Sequence, residues 1–191
     1  MHVRWSQVRG MPVLDDETQE IVGFLTDPLI NPDTGRILGF FVASPRGSAF
    51  LSVPDICSWG TKVHVRCAEK LSPPEELIRM RSHFDDPRSF LGQPLRVRGS
   101  NRTLGKCGDL QFDTRHFAVE WLFPRGLLFY RQPVAAADIV EVTEEAIWIE
   151  DPLKAVKEKA EPKIVADTPT ILMPEITTTV QGRSSELKIE N

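Results

Sequence analysis

Residues 10–13 read Gly-Met-Pro-Val, and residues 92–95 read Gly-Gln-Pro-Leu, 82 positions later. The same displacement carries Gly23 onto Gly105 and Asp27 onto Asp109. Further matches follow in the same order at displacements of 80, 83 and 84 residues: 37–41 with 117–121, 55–56 with 138–139, and 63–65 with 147–149. Because loop insertions produce small drifts of this kind, the series indicates two tandem copies of one structural unit.

Each copy reads as a run of short apolar strands separated by polar turns. The expected strands are 11–14, 23–30, 36–43, 49–53 and 63–66 in the first copy, and 95–98, 105–113, 117–123, 127–131 and 146–150 in the second. The segment 31–35, Asn-Pro-Asp-Thr-Gly, is a strong turn signal because Asn and Asp favour turns and Gly accepts a positive φ. Short strands at close spacing are typical of β-barrels and sandwiches. We therefore expect an all-β fold of two tandem, small, partly open β-barrels.

The expected domain organisation follows from the repeat and from changes in composition. Residues 1–70 form the first barrel, 71–87 a helical linker, 88–151 the second barrel, and 152–191 a short charged helix and a flexible tail. In the linker, Ser72 and Glu75 form a capping-box pattern that predicts one helix over 73–83. Residues 161–191 combine prolines, threonines and charges with little periodicity, so we expect most of this tail to be disordered. A small apolar island at 170–173 could dock on a barrel or a partner.

Composition narrows the classes of function. The 191 residues are 41% hydrophobic and 26% charged, which is ordinary for a globular protein. The net charge of −4 argues against a broad nucleic-acid surface but leaves room for a small local phosphate site. The apolar runs fall far short of the roughly 20 residues of a membrane span, and the N-terminus has no apolar signal core. We expect a cytoplasmic protein whose membrane contact, if any, is peripheral.

The ordered set of motifs resembles the PRC-barrel family. It comprises Trp-Ser-Gln-Val-Arg-Gly-Met-Pro-Val at 5–13, Ile-Val-Gly at 21–23, Asp27, Arg-Ile-Leu-Gly-Phe at 36–40 and Phe-Leu-Ser-Val-Pro at 50–54. The second copy fits more loosely, since Cys107 replaces the usual valine and no glycine occupies its turn at 114–115. The resemblance covers residues 5–66 and 88–150.

The resemblance implies a binding role. The family includes the cytoplasmic barrel of the photosynthetic reaction-centre H subunit, which caps a membrane complex. It also includes the C-terminal barrel of the ribosome maturation factor RimM, which assists small-subunit assembly beside protein and RNA. This chain carries no transmembrane helix of the first kind, and its N-terminal half resembles a second PRC barrel, unlike RimM. Neither group's function therefore transfers directly.

Catalytic and metal-binding patterns are missing from the sequence. The four histidines are scattered, and there is no HExxH, P-loop, GxSxG or GxGxxG pattern. Three cysteines without CxxC spacing predict packed thiols in a reducing compartment. We expect His64 and Cys67 to be a strand-end histidine and a packed thiol, and Asp27 and Asp109 to cap turns or strand ends. The sequence predicts a protein that is not an enzyme and has no catalytic residues, cofactor or metal.

One difference between the copies suggests binding faces. The first hairpin of copy one carries an acidic set, Asp15, Asp16, Glu17 and Glu20. The corresponding stretch of copy two carries a basic set, Arg96, Arg98, Arg102 and Lys106. Positions 96 and 98 are two apart on a strand, so their side chains point to the same side. The two sets could pair with each other, within or between molecules, or remain solvated, and the basic set could bind phosphate.

The leading functional hypothesis is a non-catalytic adaptor that docks on a larger protein assembly through its barrel faces. The first alternative is an RNA- or ribosome-associated assembly factor that uses the basic hairpin from Arg96 to Lys106. The second is a peripheral protein of a photosynthetic membrane complex. A homodimer is also possible. We expect the two copies to pack as a pseudo-symmetric pair, with Trp5, Trp59, Trp121 and Trp148 filling the barrel interiors and the seam.

Overall fold

The chain folds into two β-sheets in the computed structural model, which describes residues 1–100, 102–126 and 132–151. The strands of the first half are β2 (Pro12–Asp15), β3 (Ile21–Ile30), β4 (Ile37–Ser44), β5 (Gly47–Ser52), β6 (Ile56–Trp59), β7 (Val63–Val65) and β8 (Leu71–Ser72), preceded by β1 (His2–Arg4) and the one-turn helix α1 (Trp5–Val8). The second half contains β9 (Pro94–Val97), β10 (Thr103–Asp113), β11 (Ala118–Arg125), β12 (Val134–Ala135), β13 (Ile139–Val142) and β14 (Ile147–Ile149). The strand expected at 127–131 and the tail 152–191 lie outside the described residues.

The two sheets repeat one topology. The first has the order β6-β7-β2-β3-β4-β5-β8, and the second has β13-β14-β9-β10-β11-β12. In both sheets a single parallel pair, β2 with β7 and β9 with β14, joins two antiparallel runs. One of the sheets curls into a half-barrel. The mostly β architecture expected from the sequence is thus confirmed, and the repeated motifs correspond to equivalent strands.

Gly23 and Gly105, which the repeat aligns, must be glycines for the same physical reason. A Cβ on Gly23 would lie 2.8 Å from the carbonyl oxygen of Ala43, and one on Gly105 would lie 2.6 Å from that of Arg125. Ala43 and Arg125 are themselves 82 residues apart. Both copies therefore need a residue without a side chain where β3 meets β4 and where β10 meets β11. Gly105 also has a φ of +120°, which L-residues rarely adopt.

The linker is a series of short helical turns where the sequence predicted one helix. Two 3₁₀ turns, Pro74–Glu76 and Ile78–Met80, precede the four-residue helix α2 (Arg81–Phe84). Leu77, between the 3₁₀ turns, has φ −89° and ψ 64°, which are not helical, so the hydrogen-bond ladder is interrupted there. Pro73 is the N-cap of the first turn, and no side chain caps it, so the expected capping box does not form.

The two halves share one hydrophobic core. Phe40 of the first sheet is fully buried, and its ring lies 6.1 Å from that of Phe112 and 6.2 Å from that of Phe117 in the second half. At the same place the sheets exchange a backbone bond, in which Ile37 N–H donates to the Phe117 carbonyl oxygen at 2.7 Å. The buried core cluster runs without a break through both halves. The halves therefore form one packed unit.

The segment that precedes each sheet packs on the other sheet. β1 pairs with β10 of the second sheet, and Ser6 of α1 donates from its N–H and its hydroxyl to the carboxylate of Asp109. Conversely, Phe84, ahead of the second sheet, stacks edge-on against Phe50 of the first. Arg88 reaches back to Asp33 in the first half, with 2.6 Å between Nη1 and Oδ1. This exchange ties the halves together beyond their shared core.

The four tryptophans occupy different environments. Trp5 is buried and stacks on Phe40 at the junction of the halves, and Trp59 packs in the same aromatic cluster. Trp148 is half-buried. The expectation that every tryptophan fills an interior or the seam is wrong for Trp121, which is 42% exposed on β11. No helix in the described part of the chain is both long and apolar enough to cross a bilayer.

Candidate binding faces

The acidic hairpin of the first sheet is built around a buried carboxylate. Asp15 is 3% exposed, and its side chain accepts backbone N–H bonds from Glu17, Thr18 and Ala68 at 2.7–3.1 Å. These bonds, that from Thr18 foremost, hold the pKa of Asp15 below its usual range against the opposing effect of burial. Asp15 therefore organises the turn and is not available to a partner, unlike the other members of the acidic set.

The remaining acidic residues lie on the surface. Asp16, Glu17 and Glu20 are exposed. Asp16 Oδ1 lies 2.7 Å from Nδ1 of His64, so the strand-end histidine is held by a carboxylate. Of the acidic set, only these three residues are therefore exposed to a binding partner.

The basic residues of the second sheet lie on its outer face. Arg96 and Arg98 are exposed while Leu95 and Val97 are fully buried, so the two arginines point to the same side, as expected. The guanidinium of Arg96 lies 5.9 Å from the ring centroid of Trp148. Arg102 is exposed and contacts Asp151 at 3.4 Å. Across the described residues, no ion pair joins the basic set to the acidic hairpin.

Lys106 belongs to a second cationic group that the sequence did not reveal. It lies directly opposite Arg125 on the antiparallel strands β10 and β11, and both side chains are exposed. Both residues line a cleft of about 680 Å³ together with Arg9, from the end of α1. Gly92 and Gly108 also line it. Three cations from three separate segments therefore border one open cleft at the junction of the halves.

The two repeat-related aspartates border the same cleft but differ in their roles. Asp109 is 2% exposed and accepts from Ser6 N–H, Ser6 Oγ and Leu110 N–H at 2.6–3.0 Å. It thus binds donors of α1, 103 positions away in the chain, where the sequence predicted that it caps a turn or a strand end. Asp27 is exposed and lines the cleft, without an ion pair to any described residue.

The equivalent face of the first sheet is apolar. Phe24 is 48% exposed and lies opposite exposed Ala43, and these two positions correspond to Lys106 and Arg125 of the second sheet. Ile21, 49% exposed, corresponds to Thr103. The two sheets thus present different chemistry at the same structural position, apolar on the first and cationic on the second.

The described residues contain no cluster of metal-binding side chains. No three His, Cys, Asp or Glu side chains there are close enough to share a metal ion. His64 pairs with Asp16, and Cys67 is a half-buried free thiol. Cys107 is buried, and burial raises the pKa of its thiol to about 12, so it stays protonated and unreactive near neutral pH.

No model of a known protein family matches the sequence, and no curated protein is similar to it.

Sequence reasoning missed four residues of these faces, namely Arg9, Arg125, Ile21 and Phe24. A signal existed for Arg125, since 124–126 repeats the Pro-Arg-Gly of 45–47. The exposure of Ile21 and Phe24 had no such signal, because apolar residues on a strand ordinarily predict a buried face. Arg9 reaches the cleft only because α1 packs on the other half.

Proposed function

We propose that the protein is a non-catalytic adaptor that docks on a protein partner through the outer face of its first sheet, with two PRC-type barrels as its units. The observation that carries this proposal is the exposure of Phe24, which is 48% exposed where the second sheet has Lys106, together with that of Ile21, which is 49% exposed three residues earlier on β3. Contiguous exposed apolar surface marks interaction sites more often than single exposed apolar side chains do. The shared strand order of the two sheets supports the tandem-barrel interpretation.

The surroundings of this face have the composition of a protein interface. Beside Ile21 runs a groove of about 520 Å³ whose lining includes the apolar residues Val22, Pro45 and Leu71. The charged residues of its lining are Glu20, Arg46 and Glu76. An apolar centre with a polar rim is the usual anatomy of a protein–protein interface. Covering the exposed halves of Ile21 and Phe24 would contribute about 1 kcal/mol each to binding.

The shared core supports this role because it makes the face rigid. Phe40 packs against rings from both halves, so the first sheet is held by the second. A partner that docks on a preformed face loses less conformational entropy than one that must order it.

The experiment replaces Phe24 by a photo-crosslinking phenylalanine in the full chain in its native lysate. The matched control is a second variant of this chain with the crosslinking residue at position 121. Trp121 is similarly exposed, on the other sheet. We expect one partner to be captured from position 24 and not from position 121. Phe24→Lys, which copies the residue of the second sheet, should weaken co-sedimentation with that partner about tenfold, and Trp121→Lys should not.

Two results would contradict the adaptor. One is a chain that sediments alone at every salt concentration. The other is crosslinking of position 24 to a second copy of this chain, with dimers that Phe24→Lys dissolves, because the face would then be a homodimer interface.

A second candidate, association with RNA or the ribosome, is supported by the exposure of all four members of the basic set and by the shared side of Arg96 and Arg98. It requires binding that weakens steeply as salt rises, since phosphate contacts release counterions. Arg96→Glu with Arg98→Glu should abolish binding. RNA binding that is absent or insensitive to salt would exclude it. The role at a photosynthetic membrane stays a prediction from the resemblance alone.

A further inference from the structure

We propose that the cleft bordered by Arg9, Lys106 and Arg125 binds the phosphate group of a small organic phosphate. This site is separate from the apolar face of the first sheet and does not depend on the adaptor role. The cleft volume of about 680 Å³ lies within the range of about 300–1,000 Å³ that small-molecule sites occupy.

The placement of Lys106 opposite Arg125 is the first reason. Like charges directly opposite each other on antiparallel strands repel and destabilise the sheet. No carboxylate in the described residues forms an ion pair with Lys106, Arg125 or Arg9. The first sheet avoids the same repulsion by having Phe24 and Ala43 at the equivalent positions. An anion held between the two cations would remove the repulsion.

Neither carboxylate of the cleft forms an ion pair with these cations. Asp109 is buried and already accepts three hydrogen bonds from Ser6 and Leu110. Asp27 is exposed and lies beyond ion-pair distance of every described cation. The N–H groups of the three cations therefore remain available to a ligand. The guanidinium group of Arg can bind two phosphate oxygens at once.

The shape of the cleft favours a small ligand over a nucleic-acid strand. Gly92, Gly108 and Gly126 line it, and they add no side chains that would fill it. A Cβ placed on Gly92 would meet nothing within 4 Å, so that part of the wall is open. Asp27 in the same wall would repel the successive phosphates of a polyanion, and the chain as a whole carries a net charge of −4.

Titration calorimetry of the full chain at low ionic strength tests the site with inorganic pyrophosphate and with ADP as probes. Citrate and a short single-stranded RNA form the comparison arms. We expect both phosphate probes to bind and citrate to bind more weakly. Lys106→Gln and Arg125→Gln should each weaken binding about tenfold, the effect of one charge-assisted contact. Asp27→Asn should strengthen binding severalfold because it removes a repelling charge.

Arg46→Gln is the matched control, because Arg46 occupies the Pro-Arg-Gly turn of the first sheet and lies outside the cleft. It removes the same charge and should leave binding unchanged. The proposal is overturned if neither phosphate probe binds, if citrate binds equally well, or if Arg46→Gln weakens binding as much as Arg125→Gln. Binding of the RNA without binding of pyrophosphate or ADP also overturns it and assigns the cleft to a nucleic-acid strand. None of these results bears on the apolar face, so the adaptor proposal is tested separately.

Discussion

The backbone N–H of Ile37 donates to the carbonyl oxygen of Phe117 at 2.7 Å, where the second strands of the hairpins β3–β4 and β10–β11 begin. Around this bond, rings from both halves pack into one aromatic cluster. The two copies of the repeat are therefore joined at their cores.

Phe40→Ala tests this joint core. Phe40 is fully buried and contacts rings from both halves, so its truncation should lower the free energy of unfolding by about 3–5 kcal/mol. Urea unfolding followed by circular dichroism and by tryptophan fluorescence should show a single coincident transition in the wild-type protein. Trp121→Ala, on the surface, should change the free energy of unfolding by less than about 0.5 kcal/mol. Two separate transitions in the wild type would show that the halves fold independently.

Gly23→Ala and Gly105→Ala test the close strand contacts that both copies share. An added methyl group would lie within 2.8 Å of a backbone carbonyl oxygen in each case, and neither strand can move without breaking its pairing. We expect thermal unfolding to show a loss of about 2 kcal/mol or more for each, with the larger loss at Gly105 because of its positive φ. Gly60→Ala is the control, since nothing lies within 4 Å of its added Cβ. Equal stability of all three variants would refute the close contact.

Asp15→Asn tests the buried carboxylate of the acidic turn. The folded protein lowers the pKa of Asp15 through the backbone N–H of Thr18 and then those of Ala68 and Glu17. A carboxyl group with a lowered pKa stabilises the fold above its unfolded pKa of about 4, and this contribution disappears as the pH falls through the folded value. The variant should be less stable than the wild type at neutral pH, and the difference in unfolding free energy should shrink in acid.

The control for this experiment is Glu17→Gln, which removes an exposed carboxylate from the same turn. It should leave the pH dependence of unfolding nearly unchanged. A difference between Asp15→Asn and the wild type that stays constant from neutral pH down to strong acid would mean that the ionised carboxylate does not stabilise the turn.

Lys106→Gln tests the repulsion between Lys106 and Arg125. Without an added anion, the substitution should raise the free energy of unfolding by about 0.5 kcal/mol at low ionic strength. The gain should vanish in high salt because exposed charges are screened. Arg46→Gln, measured alongside, should show no gain. A stabilisation that persists in high salt would point to a cause other than charge.

Much of the local structure was readable from the chain. The strands β3 and β10 lie where the repeated Gly23 and Gly105 placed them, since a steric requirement for glycine leaves a mark in the sequence. The shared side of Arg96 and Arg98 was also correct, because alternation along a strand is a local property. β1, β6, β8, β12 and β13 were missed, and each has only two to four residues. β2, β7, β9 and β14 are as short but carry matches of the repeat.

The sequence predicted the candidate faces only in part, because their residues come from distant parts of the chain. Lys106 was singled out as one of a basic set on its own hairpin, but its neighbours in the cleft are Arg125 and Arg9, 19 and 97 positions away. The sequence placed Asp15 in an acidic hairpin with three other carboxylates, but in the structure it accepts hydrogen bonds from three backbone N–H groups. Exposure and partners depend on what the rest of the chain brings close, and a local pattern does not contain that information.

The sequence by itself determined the repeat, the β-rich fold and the turn at 31–35, because these depend on steric and periodic requirements of neighbouring residues. Only the tertiary structure decided that the segments before the sheets exchange partners, with Ser6 bound to Asp109 and Arg88 to Asp33. It also decided that one sheet face stays apolar while the other gathers cations. Both are outcomes of long-range packing, in which the free energy of burying a shared core selects one arrangement among many that the local pattern permits.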